Sequence, residues 1–243
     1  TDSLKVNLQN TDSLSLGLSG STGVSTLTSS RMVKTDYSSS AIAASDIKIN
    51  GFDALAAAFS TDVPIVVLHL TRPAIEVPDR QKMGIASHFD ASKGAYLIRD
   101  FDERPRDGVV IVRGTSSTNT VVSILDDISS KYNVKIVSAI SWELFDMQDS
   151  VYKSSVIGDQ EWADSMVITN TGLNVMKNWI SNRVVADYSL SPDWDNRWRT
   201  GGSLEQIIDE AHLSPRWVMK SIAKFATDRS KRLDRLKQEI PQE

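Results

Sequence analysis

The sequence contains no cysteine, only three histidines and seven prolines in 243 residues. Without cysteine there is no disulfide, no thiolate zinc site and no cysteine nucleophile, an absence that fits the cytoplasm. No two of His69, His88 and His212 stand at helical metal-ligand spacing, so no metal site is expected. A GxSxG nucleophile elbow is missing, although a Ser–His–Asp triad needs no neighbouring residues and stays open. Excess positive charge is lacking too. The 27 Lys and Arg against 31 Asp and Glu leave a net charge of -4, which argues against general nucleic-acid binding. No apolar run approaches the roughly 18 residues of a membrane span, and no charged-then-apolar leader opens the chain. A chain that opens on Thr1 rather than Met suggests a processed or trimmed piece.

What is present is ordinary in amount and uneven in placement. Forty per cent of residues are hydrophobic and 24% charged, and the length suffices for one large domain or two small ones. Ser and Thr make up 18 of the first 45 residues. Leu14 and Leu16, with Val24 and Leu27 beyond, alternate as in a strand, and glycines fall where turns belong. Weak strands are therefore expected here rather than a linker. Phe52 to Phe59 reads as a short apolar helix, and Pro64 to Leu70 as a strand apolar on both faces. Residues 73–87, with two prolines, read as an exposed connection.

A regular alternation follows. Strands are expected at Gly108–Val112, Val134–Ile140, Ser165–Thr169 and Val184–Tyr188. A helix over Asn119–Ile128 would bury Val122, Leu125 and Ile128. Ser203 and Gln206 form a capping box at the start of another. Ser214-Pro215 opens a third, with Val218, Ile222 and Phe225 as its buried stripe. Arg229 to Lys237 reads as a solvated terminal helix. Such alternation implies an α/β fold, a three-layer α/β/α domain with a mostly parallel, mixed sheet.

His69 lies in a predicted buried strand and reads as a core histidine, and His212, three residues after Asp209, as surface packing. The Gly114–Asn119 stretch follows a strand and precedes a helix, at the sheet end where α/β folds take ligands. Thr115, Ser116 and Ser117 are anion-binding candidates there, with plain helix capping as the alternative. Gly201-Gly202 also precedes a helix. Trp194, Trp198 and Trp217 beside Arg197 and Arg199 offer a stacking platform, though packing at a domain interface explains them better.

One segment carries more information than these. Ser141-Trp142-Glu143-Leu144-Phe145-Asp146-Met147-Gln148, followed by Tyr152 and Ser155-Val156, directly follows a predicted buried strand. It resembles the WELFD-type pattern of the transketolase C-terminal domain. Upstream, Ala91 to Leu97 resembles the SKGxYVL strand leading into that domain. Downstream, Arg199-Thr200-Gly201-Gly202 and the helices after it resemble the family's closing pattern. The resemblance runs in order from about residue 60 to 227. It implies a partial pyrimidine-binding domain over 1–73, a linker over 74–90 and the transketolase C-terminal domain over 91–243. The α/β/α domain is then preceded by part of a second α/β domain.

The resemblance also implies roles. Arg72 matches the family arginine that holds the phosphate of the sugar substrate, with Pro73 in place of the usual Gln. Thr11 to Gly23 matches, ungapped, a family loop HDSxGxGEDGPTHQ that reaches across the active site. Thr11 and Ser13 are the substrate-binding candidates that remain. Thr11 stands for the first His, Leu18 and Ser19 for the Glu-Asp pair, and Gly23 for the second His, and these side chains cannot supply acid–base chemistry near neutral pH. No catalytic residue is therefore expected in this chain. Thiamin diphosphate and magnesium are expected only in a complete assembly, with a homodimer or a complementary chain carrying the diphosphate-binding domain. Sugar phosphate is the expected substrate, with no nucleic acid and no membrane as partners. The alternatives are a non-catalytic scaffold derived from the family and an unrelated sugar-phosphate-binding α/β protein.

Overall fold

The computed structural model describes residues 3–8, 14–19, 53–61 and 78–239, except 198 and 200. In the first of these, β1 (Ser3–Leu8) and β2 (Leu14–Ser19) pair antiparallel, with Leu4 opposite Leu18, Val6 opposite Leu16 and Leu8 opposite Leu14. Apolar positions two apart in each strand meet across the ladder, which is what the alternation of Leu14 and Leu16 encodes. Residues 53–59 are helical (α1). The expected strand Pro64–Leu70, with His69, lies outside the described residues.

The main sheet has the order β3-β5-β4-β6, formed by β3 (Ala95–Arg99), β4 (Gly108–Arg113), β5 (Val134–Ala139) and β6 (Ser165–Thr169). β5, β4 and β6 run parallel and β3 is an antiparallel edge, so the sheet is mixed. Side chains alternate between two cores. Val110, Val112, Ile136 and Ile168 pack with Val121, Ile128, Val218, Ile222 and Phe225 on one face. Val109, Ile111, Val137 and Val167 pack with Phe145, Val156, Met176, Trp179 and Val185 on the other. Burial on both sides is what near-continuous apolar strands require. The three-layer α/β/α expectation holds.

Several local expectations are corrected. The stretch read as an exposed connection contains α2 (Arg80–Met83), capped by Asp79, and its Ile85 is buried in the first core. The helix placed over 119–128 begins earlier and is broken. α3 (Thr115–Ser123) ends at Ile124 (φ -117°, ψ 18°), and α4 (Leu125–Lys131) follows. Hydroxyls of Thr118, Thr120 and Ser123 donate to carbonyls a turn earlier, a back-bonding that weakens and bends helices. After β5 come α5 (Trp142–Asp146), α6 (Ser150–Val156) and α7 (Asp159–Ala163). The expected strand Val184–Tyr188 is instead α8 (Arg183–Tyr188). Asn182 Oδ1 accepts from Val185 N at 3.0 Å, and this cap starts a helix whose two valines are buried.

The closing helices are α9 (Leu204–Glu210), α10 (Pro215–Thr227) and α11 (Arg229–Glu239). The Ser203–Gln206 capping box and the Val218, Ile222, Phe225 stripe are present as expected. α11 is not simply solvated. Arg232 is 1% exposed, donates to Asp164 at 2.9 Å and to Asp107 O at 2.8 Å, and lies 3.5 Å from the Phe225 ring centroid. It pins the last helix to the amino end of the sheet, where Gly108 (φ 108°) leaves room for it. Removing one partner of a buried pair strands the other charge, although Arg229 lies 3.6 Å from Asp164 and softens the loss. Arg232→Ala is expected to lower unfolding free energy by about 3 kcal/mol, read from the urea midpoint at unchanged slope. A loss below about 1 kcal/mol would show that the pair is dispensable.

Candidate functional site

The carboxyl ends of β4, β5 and β6 converge at one edge of the sheet. β4 leads into α3 on the first face, while β6 leads to a 3-10 helix (Leu173–Trp179) on the second. Chain directions therefore diverge between adjacent strands, the arrangement that opens a crevice in α/β sheets. Gly114 turns the chain with φ 88°, and a Cβ there would lie 1.8 Å from Asn170 Oδ1. Only glycine lets Asn170 lie over the start of α3. Asn170 Nδ2 donates to Ser116 Oγ at 2.9 Å. Gly114 gives α3 no side-chain cap. Among the described residues, Ser117, 1% exposed, has no hydrogen-bond partner for its hydroxyl, and neither does the buried Asn170 Oδ1. Arg113, the last residue of β4, donates to Met176 Sδ at 3.8 Å, its side chain's only hydrogen bond among the described residues. Burial lowers its pKa, and Glu143 acts against that shift through space.

A second cluster lies around the αL turn after α9. His212, at φ 60°, occupies the position after a helix that favours glycine. Its ring stacks between Trp194 (4.1 Å) and Trp217 (3.8 Å). Burial, with Arg199 nearby, lowers its pKa, against the opposing influence of Asp209 and Asp195. Arg199 is occupied by Pro192 O, Asp195 and Glu210 O. The stack shows how Trp194 and Trp217 are used; Trp198 lies outside the described residues.

Of the residues singled out from sequence, Thr115, Ser116 and Ser117 form the first turn of α3. Arg72, Thr11 and Ser13 lie outside the described residues. His88 Nδ1 stands 3.0 Å from Asp53 Oδ2, joining α1 to the 3-10 turn His88–Lys93. Sequence reasoning missed Arg113 and Asn170. Each is the polar residue that closes or follows a buried strand, and that position was the available signal. Among the described residues there is no group of three or more His, Cys, Asp or Glu that could hold a metal, and no helix is long and apolar enough to cross a membrane.

No protein-family profile matches the chain. Curated relatives do. The chain is 33% identical over 98 residues to a chloroplastic transketolase of Craterostigma plantagineum, covering 38% of this chain and 19% of that protein. It is 35% identical over 69 residues to a transketolase of a Nostoc species, covering 28% and 10%. A Pichia stipitis transketolase solved with sedoheptulose 7-phosphate shares the fold at a TM-score of 0.53 and 18% identity, covering 74% of this chain and 25% of that one. Over part of its length the chain is similar to transketolases, in sequence and in fold. It spans less than a fifth of the length of the curated relatives it matches.

The segments that resemble transketolase prove to be structural joints. Gly94 (φ 85°) sits where a Cβ would lie 2.3 Å from Phe145 N and 2.4 Å from Ser141 O, so the two motifs touch through backbone. Its carbonyl accepts from Ile140 N and Ser141 N at 2.8 and 2.9 Å. Ser141 caps α5. Trp142 packs against Phe145, Trp162 and Trp179. Tyr152 donates to Ala95 O at 2.7 Å, and burial raises its pKa. In transketolase-like terms, these residues fasten β3 to the helices after β5.

Gly94→Ala is expected to cost about 2 kcal/mol or more, from positive φ and a backbone clash together, and thermal denaturation would reveal it. A neutral effect would contradict the joint. The stack gives a pH prediction. With a folded-state pKa below its unfolded value, His212 supports stability fully above about pH 6.5 and loses it as pH falls through the lowered value. Between about pH 7.5 and 5.5 the wild-type urea midpoint should fall further than that of His212→Asn, which tolerates αL without titrating. Equal falls would exclude the stack as the titrating element.

Proposed function

We propose that the chain is the carboxyl-terminal part of a transketolase-like enzyme dependent on thiamin diphosphate and magnesium. In its complete assembly the enzyme moves a two-carbon ketol unit between sugar phosphates. The carrying observation is the ordered run of transketolase-like motifs, which the identity to curated transketolases over 98 residues supports. On this reading 1–73 belongs to the pyrimidine-binding domain, 74–90 is a linker and 91–243 is the C-terminal domain. The chain contributes dimer architecture and one wall of the substrate channel. Arg72 contacts the sugar phosphate, with Thr11 and Ser13 beside it, and the partner is a second copy or a chain carrying the diphosphate-binding domain. The proposed compartment is the cytoplasm, while the plant relatives are named chloroplastic.

Among the described residues there is no group of three or more His, Cys, Asp or Glu to hold the cofactor's magnesium. No catalytic step is assigned to them, and the chain alone is expected to be inactive. One observation favours a scaffolding reading in second place. Leu18 and Ser19, which stand where the family has an acidic pair, sit in β2 opposite Leu4 and Ser3.

The test is transfer from xylulose 5-phosphate to ribose 5-phosphate by the complete parent protein, with cofactor and magnesium. Activity is expected, and Arg72→Ala should raise KM about tenfold or more, the loss of a charge-assisted phosphate contact. A cofactor-loaded parent without ketol transfer would favour the scaffold.

A further inference from the structure

Glycine would make the turn after α9 without strain, yet His212 holds it at φ 60°. Its imidazole lies nearly parallel to the Trp194 ring, at 11°, and at 25° to the Trp217 ring. The left-handed backbone opposes this arrangement and the two stacked pairs favour it, by amounts of similar size. A joint closed by so small a margin can be opened by one added charge.

The stack joins two parts of the chain. Trp194 belongs to residues 191–197, and Trp217 to the first turn of α10. Other ties between this segment and the α9–α10 turn are thin. Arg197 reaches Glu210 Oε1 at 3.2 Å, but its side chain is 67% exposed and the pair is worth little. Just beyond the segment, Arg199 donates to Glu210 O at 3.1 Å. Trp194 is itself half exposed, and among the described residues His212 is its only ring partner.

The surroundings of the imidazole favour its neutral form. Arg199 and Lys220 act against a proton on it, and Arg216 stands with Lys220 over the Trp217 ring. Asp209 and Asp195 act the other way. Both are already engaged, Asp209 by Arg216 and Ser214, Asp195 by Arg197 and Arg199. Glu210 is taken by Arg197. An imidazolium carries two N–H donors, and neither His212 nitrogen has an acceptor among the described residues. The unpartnered buried atoms of this cluster, Arg199 Nε and Trp217 Nε1, are donors as well.

We propose that the Trp194–His212–Trp217 stack is a protonation-controlled latch. Near neutral pH it holds residues 191–197 against the α9–α10 turn. When the imidazole takes up a proton the rings part and the segment comes away, with the main sheet intact. This local opening is distinct from the loss of overall stability in acid, and it does not depend on ketol transfer.

The test is amide hydrogen exchange of the chain at about pH 7.5 and 5.5, with rates corrected for the intrinsic effect of pH. Residues 191–197 of the wild type should lose about threefold or more of their protection between these values, while β5 stays protected. His212→Phe, which stacks without titrating, should keep the segment protected at both. His212→Asn, which adopts the turn without stacking, should leave it open at both. Unchanged protection in the wild type, an equal loss in His212→Phe, a closed segment in His212→Asn, or a loss that extends to β5 would each overturn the latch. So would protection that rises in acid, the sign that cation–π attraction to the tryptophans prevails.

Discussion

All six residues of β5 and all five of β6 are buried, so the main sheet meets water on neither face. That constraint shapes the rest of the fold. A sheet apolar on both sides needs a helical layer on each, and it confines polar chemistry to the strand ends. The amino end is consumed by structure: Arg232 anchors α11, and Lys135 and Asn133 hold the approaching loops. The carboxyl end carries Arg113, the start of α3 and Asn170.

The same constraint explains why the most recognisable residues are not chemical ones. Gly94 has no room for a Cβ against Ser141 and Phe145, and Trp142 is packed among three other aromatic rings. Close packing tolerates few substitutes at such points. The likeness to transketolase in Ala91–Leu97 and Ser141–Val156 therefore reports how β3 is fastened to the helical layer. It identifies the fold and not the reaction.

Much of this was legible in the sequence where one local rule acted alone. β4, β5 and β6 stood out as apolar β-branched runs, and the Ser203–Gln206 box and Ser214-Pro215 marked helix starts. Where two rules competed, the reading failed. The valines of Val184–Tyr188 suggested a strand, but the Asn182 cap and the burial of both valines, Val185 in the second core, made a helix. Arg232 looked like one charge among many, since nothing local announces that Asp164, 68 positions earlier, lies beneath it. The candidate site was half legible. Gly114 to Ser117 read as a strand-to-helix turn, but Asn170 enters it only because β6 lies next to β4, a fact of topology that no local pattern carries.

The measurement that bears most directly on the assignment is cofactor binding. Thiamin diphosphate, with magnesium, would be titrated calorimetrically into the complete parent protein and, separately, into the 243-residue chain. Stoichiometric binding to the parent and none to the chain is the expected result. Saturable binding by the chain alone would contradict its place as a carboxyl-terminal part, and a parent that binds none would remove it from the thiamin-dependent enzymes.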